Sequence, residues 1–178
     1  MPKYKCKKCK EFFVDTVRTP AGRFCSISHA IEYAKEKQKA DKEKAERKQQ
    51  KERKEKARSK GDWLALAQKA FNAYIRARDQ NEPCISCGKI FTCQAHAGHF
   101  LTVGARPEHR FNEDNCHRQC VRCNHFLSGN VAQYRKRLIK KIGLERVESM
   151  ERDHTPKHYT IEQIKEIIKT YKQKIKSI

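Results

Sequence analysis

Nowhere does the chain run 18 apolar residues in a row, so no segment is long enough to cross a membrane as a helix. The opening MPKYKCKKCK has no apolar stretch of the kind a secretory signal requires, which leads us to expect a protein of a reducing cytoplasm with no membrane partner. Apolar residues make up only 37% of the 178, against 35% charged, so part of the length has no core to join and must be solvated. Negative charge is the scarcest property. Asp and Glu number 21 against 41 Lys and Arg, a formal charge of +20. The excess is spread as +4 over residues 1–34, +7 over 35–60 and +9 over 61–178. Such a surface attracts phosphate polyanions by releasing their counterions, so nucleic acid is the expected partner.

What the chain does have is cysteine, nine of them, several at x2 spacing. In a reducing compartment that spacing reads as metal binding rather than a disulfide framework. Cys84-x2-Cys87 and Cys120-x2-Cys123 bracket a segment that holds His96, His99 and Asn115, with Asn124 just beyond. Four thiolates complete a tetrahedral structural zinc and leave no position open, so the enclosed His and Asn residues are free for other work. Cys6-x2-Cys9 and Cys25-x3-His29 form a second set with the spacing of a zinc finger. Two structural zinc ions per chain are therefore expected. Cys93 and Cys116 read as small buried apolar residues.

The expected fold class is α+β, small and zinc-stabilised, in three parts. Residues 1–34 form an N-terminal zinc finger, with a strand at Phe12–Val14, a turn at Pro20–Gly22 and a helix opening near Ser26 or Ser28. Residues 35–60 contain no apolar residue except three alanines. Opposite charges recur at helical spacing, as in Glu43 and Arg47, which predicts a solvated charged helix acting as linker, basic arm or both. Residues 61–178 form a zinc-held core with flanking helices. Leu64, Ala67, Ala70, Phe71, Tyr74 and Ile75 predict an amphipathic helix capped by Asp62, with Trp63 at its core or rim. Lys89–Gln94 reads as a strand and Cys120–Asn124 as a knuckle that starts a helix. Further helices follow from Val131, Tyr134, Leu138 and Ile142, stopped by Gly143, from Leu144, Val147 and Met150, and from the capping box Thr160-x-x-Gln163.

Hydrolysis of a phosphodiester needs a base for water, a cation for the developing charge and a positioned phosphate. A histidine held in one tautomer on a strand suits the first role near neutral pH. A second His or an Asn beside the following helix suits one hard divalent cation. His99, Asn115 and Asn124 all lie on segments anchored by the same four cysteines. Arg106, Arg110, Arg118 and Arg122 are spaced to clamp phosphates, although Arg110 is equally placed to pair with Glu113, and Arg135 and Lys136 lie on the outer face of the next helix.

The pattern GH…Asn-x4-Cys-x2-Cys-Asn resembles the His-Asn-His (HNH, ββα-metal) endonucleases. PCISCG, AGHF, RFNEDNCHRQCVRCN, SGN and YTIEQ resemble, more specifically, the NinG/Rap recombination proteins of lambda-like phages. That resemblance implies a structure-specific endonuclease of the bacterial host cytoplasm. It would cut Holliday junctions or D-loops with Mg²⁺ or Mn²⁺, alongside other recombination proteins. It matches His99 to the general base, Asn115 to the middle Asn, and Asn124 to the position where the last His usually stands. The usual Asp before the base is Gly98 here, which leaves His96 as the nearest substitute ligand and His117 and His125 as further candidates. Two incisions per junction make a homodimer attractive. The competing expectation is a non-catalytic zinc protein that binds branched DNA or RNA and recruits others; an HNH–finger toxin or an RNA-processing nuclease is a third.

Overall fold

The structure is a computed structural model that describes residues 3–14, 17–90, 92 and 94–178. The chain divides into two compact units, Met1–Arg58 and Ser59–Ile178. Expected strand positions 91 and 93 lie outside the described residues.

In the first unit, β1 (Tyr4–Lys5) pairs antiparallel with β2 (Phe12–Phe13), and β3 (Val17–Thr19) with β4 (Gly22–Phe24). Between β1 and β2 the chain turns back at a knuckle, where Cys6 N–H donates to Glu11 O and Lys10 N–H to Cys6 O. Lys10 sits there at φ +69°, a left-handed position that glycine fills more readily. Among the described residues, the buried interior is little more than Cys6 and Phe24, the latter's ring tilted against that of Tyr33 at 5.3 Å. A core this small cannot offset the ordering entropy of its chain.

The helix α1 spans Ile27–Lys56, capped by Ser26, whose hydroxyl accepts from His29 N–H at 3.2 Å. The boundary expected between residues 34 and 35 therefore falls inside one continuous helix, and the finger's last expected ligand rides on its first turn. None of its residues is buried, as the missing apolar stripe requires. At 1.5 Å per residue it is about 45 Å long.

In the second unit, α2 (Lys60–Arg78) begins one turn earlier than the Asp62 cap expected. Ser59 is the N-cap, and Asp62 closes a capping box as the third helical residue. The expected apolar face is buried, including Trp63, which packs with Ala67 and Ile164. Two short strands follow, β5 (Ala95–His99) and β6 (Cys116–Cys120), paired antiparallel from Ala95↔Cys120 to His99↔Cys116. The first strand thus lies C-terminal to the Lys89–Gln94 segment expected to form it. After β6 come one wide helical turn at Arg122–Phe126, then α3 (Val131–Ile142), α4 (Leu144–Arg152) and α5 (Ile161–Lys176). Gly143, at φ +90°, separates α3 from α4, and Thr160 with Gln163 forms the expected capping box of α5.

Strand alternation gives the hairpin two faces, and each is covered by its own pair of helices. Ala97 and Cys116 look toward α2 and α5, where Phe71 meets Tyr171 edge-on at 4.9 Å. Phe100, just past β5, packs with Tyr134 and Leu138 of α3 and with Val147 and Met150 of α4. Each large side chain buried here contributes about 1.5–3 kcal/mol. The hairpin is held between two layers, so its side chains are fixed from both sides.

Candidate metal and nuclease site

The two cysteine sets fold into two clusters. Sγ of Cys6, Cys9 and Cys25 and a ring nitrogen of His29 lie within 4.8 Å of one another, as do the four sulfurs of Cys84, Cys87, Cys120 and Cys123. A tetrahedral zinc with Zn–S bonds of about 2.3 Å places its sulfurs about 3.8 Å apart. Cys9 and Cys25 are 3.8 Å apart, and Cys87 and Cys120 4.0 Å. Both sets could hold zinc. Burial raises the Cys84 thiol, but the backbone N–H groups of Cys120, Cys87 and Ser86 directed at it outweigh that and bring it down to about 7. In the first unit, the N–H groups of Cys25, Cys9 and Lys8 outweigh desolvation in the same way and bring Cys6 down to about 6. Both knuckles are thus built to present a thiolate.

The hairpin divides the expected catalytic set. His99 points toward α2, its ring 5.9 Å from that of Phe71. Its Nε2 lies 3.1 Å from Arg110 O, a carbonyl that can only accept, so the proton sits on Nε2 and the lone pair on Nδ1. That lone pair faces Cys116 Sγ at 3.6 Å, a thiol that burial pushes far up and keeps protonated. Burial also lowers His99 below the usual histidine range; the Arg110 carbonyl opposes this and the Arg110 charge adds to it. The ring is neutral at physiological pH.

His96 lies on the opposite face, opposite Gln119 in register. Its Nδ1 is 2.9 Å from Asn124 Nδ2, so this histidine and this asparagine are brought together. His99 is not part of that pair. Gly98, on the same face as His96, is buried against both Gln119 and Asn124.

Asn115 is fully buried, and its side chain is a clamp. Its Oδ1 accepts from Leu101 N–H at 2.8 Å, and its Nδ2 donates to Leu101 O at 2.9 Å and His109 O at 3.2 Å. Those bonds tie the 101–109 loop to the turn that leads into β6. His117 is buried as well. The Tyr134 hydroxyl donates to Gly98 O at 2.9 Å and accepts from His117 Nδ1 at 3.2 Å. Desolvation, helped by the Arg78 charge, pushes His117 down to about 4. His125, the other further candidate, is exposed beside Phe126.

Four of the expected phosphate contacts have work inside the fold. Arg106 donates to Met150 O at 3.0 Å, Glu151 O at 3.1 Å and also Asp153 O, and it pairs with Glu108; it closes the C-terminal end of α4. Arg118 donates to Glu82 O at 3.1 Å and to Gln80 O. Arg135 makes a two-pronged pair with Glu151 at 2.7 and 2.8 Å. Arg110 reaches Gln68 Oε1 at 3.5 Å, and not Glu113, which takes the Tyr74 hydroxyl at 2.9 Å. Arg122 and Lys136 are exposed. Spacing alone cannot separate an arginine that caps a helix from one that faces solvent. Sequence reasoning also passed over the polar partners of Tyr134, whose hydroxyl meets Gly98 O and His117, and of Gln119 and Ser86, which meet each other and Gly129 O. Alternation along CHRQC placed Gln119 inward, but that signal has meaning only once the strand register is known.

Across all its 178 residues the chain matches the family model described as Bacteriophage Lambda NinG protein. It is 40% identical to Protein ninG of Escherichia phage 933W over 188 aligned positions, covering 98% of this chain and 92% of that protein. Protein ninG of Escherichia phage lambda is 48% identical over 116 positions, 65% of this chain and 57% of its own length, and that of Salmonella phage P22 is 47% identical over the same share. No solved structure matches. Among the described residues, no helix is long and apolar enough to cross a membrane.

Proposed function

The chain belongs to the NinG family, and from that premise we propose that it is a metal-dependent endodeoxyribonuclease acting on branched recombination intermediates such as Holliday junctions and D-loops. The observation that carries this reading is the placement of His96 with Asn124, and of neutral His99 three residues on, on one zinc-type hairpin followed by a helix. A strand pair followed by a helix is the order of elements expected of a ββα-metal endonuclease, and it supports this reading.

In this reading His99 is the general base. Its Nε2 proton is anchored on Arg110 O, so only Nδ1 takes a proton from the attacking water. His96 and Asn124 would hold one Mg²⁺ or Mn²⁺, which supplies charge stabilisation at the phosphate. The two roles fall on opposite faces of β5, so the scissile phosphate would lie across the strand's C-terminal end. Asn115 holds the loop that carries Arg110 and hence the orientation of His99. The +20 charge supplies the attraction for DNA, and exposed Arg122 and Lys136 are the side chains from the expected set that remain available to it. The long helix α1 and the first zinc-type cluster would add to the grip on the DNA backbone, in the cytoplasm of the infected host.

One observation favours the second reading, a non-catalytic binder of branched nucleic acid. Both ring nitrogens of His99 already have partners inside the fold. The deciding experiment incubates the zinc-loaded protein with a four-way junction, a flap and a linear duplex in Mg²⁺ or Mn²⁺. The wild type is expected to cut the branched substrates, and His99→Ala to lower the rate at least about 100-fold while binding and zinc content stay unchanged. Equal cutting by both proteins would remove His99 as the base, and no cleavage by either would leave the binding reading standing.

A further inference from the structure

Gln119 is fully buried, and its amide is fixed by both of its protons. Nε2 lies 2.6 Å from Ser86 Oγ and 2.6 Å from Gly129 O, and since a carbonyl can only accept, the nitrogen must be on that side. Oε1 is therefore directed the other way, and it has no hydrogen-bond partner among the described residues. A buried carbonyl oxygen with no partner has lost its water and gained nothing in return, which calls for a reason.

Its direction supplies one. A side chain at residue 98 would place its first carbon 1.9 Å from Gln119 Oε1 and 3.0 Å from Asn124 Oδ1. Two amide oxygens thus converge on the spot a residue-98 side chain would fill, and Asn124 is joined through Nδ2 to His96. No hydrogen-bond donor reaches Gln119 Oε1 among the described residues. Convergent oxygens without protons repel each other unless a cation lies between them, and hard divalent cations take amide oxygens as ligands. We infer that Gln119 Oε1 is a direct ligand of the divalent cation, in the place a carboxylate on residue 98 would otherwise supply, and that Gly98 is glycine to make room for it. This inference rests on the cation-assisted reading above.

The donor set of Gln119, Asn124 and His96 carries no negative charge. Such a set binds a cation weakly alone and more tightly once a phosphate adds its charge, and by linkage the cation strengthens phosphate binding equally. Cation and scissile phosphate then arrive together.

The test titrates the full, zinc-loaded chain with Mn²⁺ alone and follows paramagnetic broadening of side-chain amide signals by NMR. Asn124 and Gln119 are expected to broaden well before Asn72 of α2. In Gln119→Met, broadening at Asn124 is expected to need at least tenfold more Mn²⁺, and in Gly98→Asp/Gln119→Ala at least tenfold less than in the wild type. If the wild type shows no localised Mn²⁺, the cation-assisted reading and this inference fall together. If the wild type binds and folded, zinc-loaded Gln119→Met binds equally well, Gln119 is no ligand and the cation reading survives. Should Gln119→Met lose its zinc, the double variant decides: no gain in affinity over the wild type overturns the inference.

Discussion

The two cysteine clusters offer nearly the same ligands and stand in very different surroundings. The first unit gathers Cys6, Cys9, Cys25 and His29 around an interior in which, among the described residues, only Cys6 and Phe24 are buried, so any metal there would be most of what defines the fold. In the second unit, Cys84, Cys87, Cys120 and Cys123 sit at the end of a hairpin already packed between α2/α5 on one side and α3/α4 on the other. There a metal has only to fix the ends of β5 and β6. The difference teaches that similar ligand sets would make a fold in one place and refine a site in the other, according to how much apolar surface surrounds each.

The largest effect should come from breaking each cluster in turn. Cys84→Ser/Cys120→Ser is expected to lower bound zinc from two per chain to one and to reduce junction cleavage to background. Cys9→Ser/Cys25→Ser should also lose one zinc and unfold the β1–β4 region. Zinc in such small modules contributes about 10–16 kcal/mol. The unfolding transition seen by Trp63, the single tryptophan, should stay in place. Elemental analysis, tryptophan fluorescence and a cleavage assay measure all three. An N-terminal pair that also shifts the Trp63 transition would break the comparison.

A smaller effect separates the units by pH. His117 of the second unit is lowered from 6.5 to about 4 by burial. The unfolded chain therefore binds the proton more readily, so this stability is full above about pH 6.5 and is lost as pH falls toward 4. At about 1.4 kcal/mol per pH unit the loss is on the order of 3 kcal/mol. Urea midpoints read by Trp63 fluorescence at pH 7 and pH 4.5 should show it, and His117→Gln should flatten the dependence. An unchanged slope would remove His117 as its source.

The smallest effect concerns the knuckles. Lys10 at φ +69° and Gly88 at φ +71° occupy the same left-handed position after the second cysteine of a pair. Lys10→Gly should stabilise the first unit by about 1 kcal/mol and Gly88→Ala should destabilise the second by about the same. Zinc competition with a chelator reads both. Changes of the same sign would mean that the knuckles are not equivalent.

Much of this was legible because its causes are local. Cysteine spacing dictated both clusters, apolar periodicity dictated the buried face of α2, and Thr160 with Gln163 dictated where α5 begins. Some local readings shifted. Asp62 proved to be the third residue of a capping box because Ser59 offered the better cap, and the linker proved continuous with the finger's helix because nothing between Ala34 and Lys35 breaks a helix. The first strand moved from Lys89–Gln94 to Ala95–His99 because strand position follows from the pairing partner, here Cys116–Cys120.

The sequence by itself determined the thiolate sets, the helices and the basic surface, since each depends on residues a few positions apart. Only the tertiary structure decided which face of β5 carries His99 and which carries His96 with Asn124. It also decided that Arg106 caps α4 and that Gln119 Oε1 points at Gly98. Those outcomes depend on register and on packing between segments far apart in the chain, where moving a strand by one residue exchanges every side chain between the two faces.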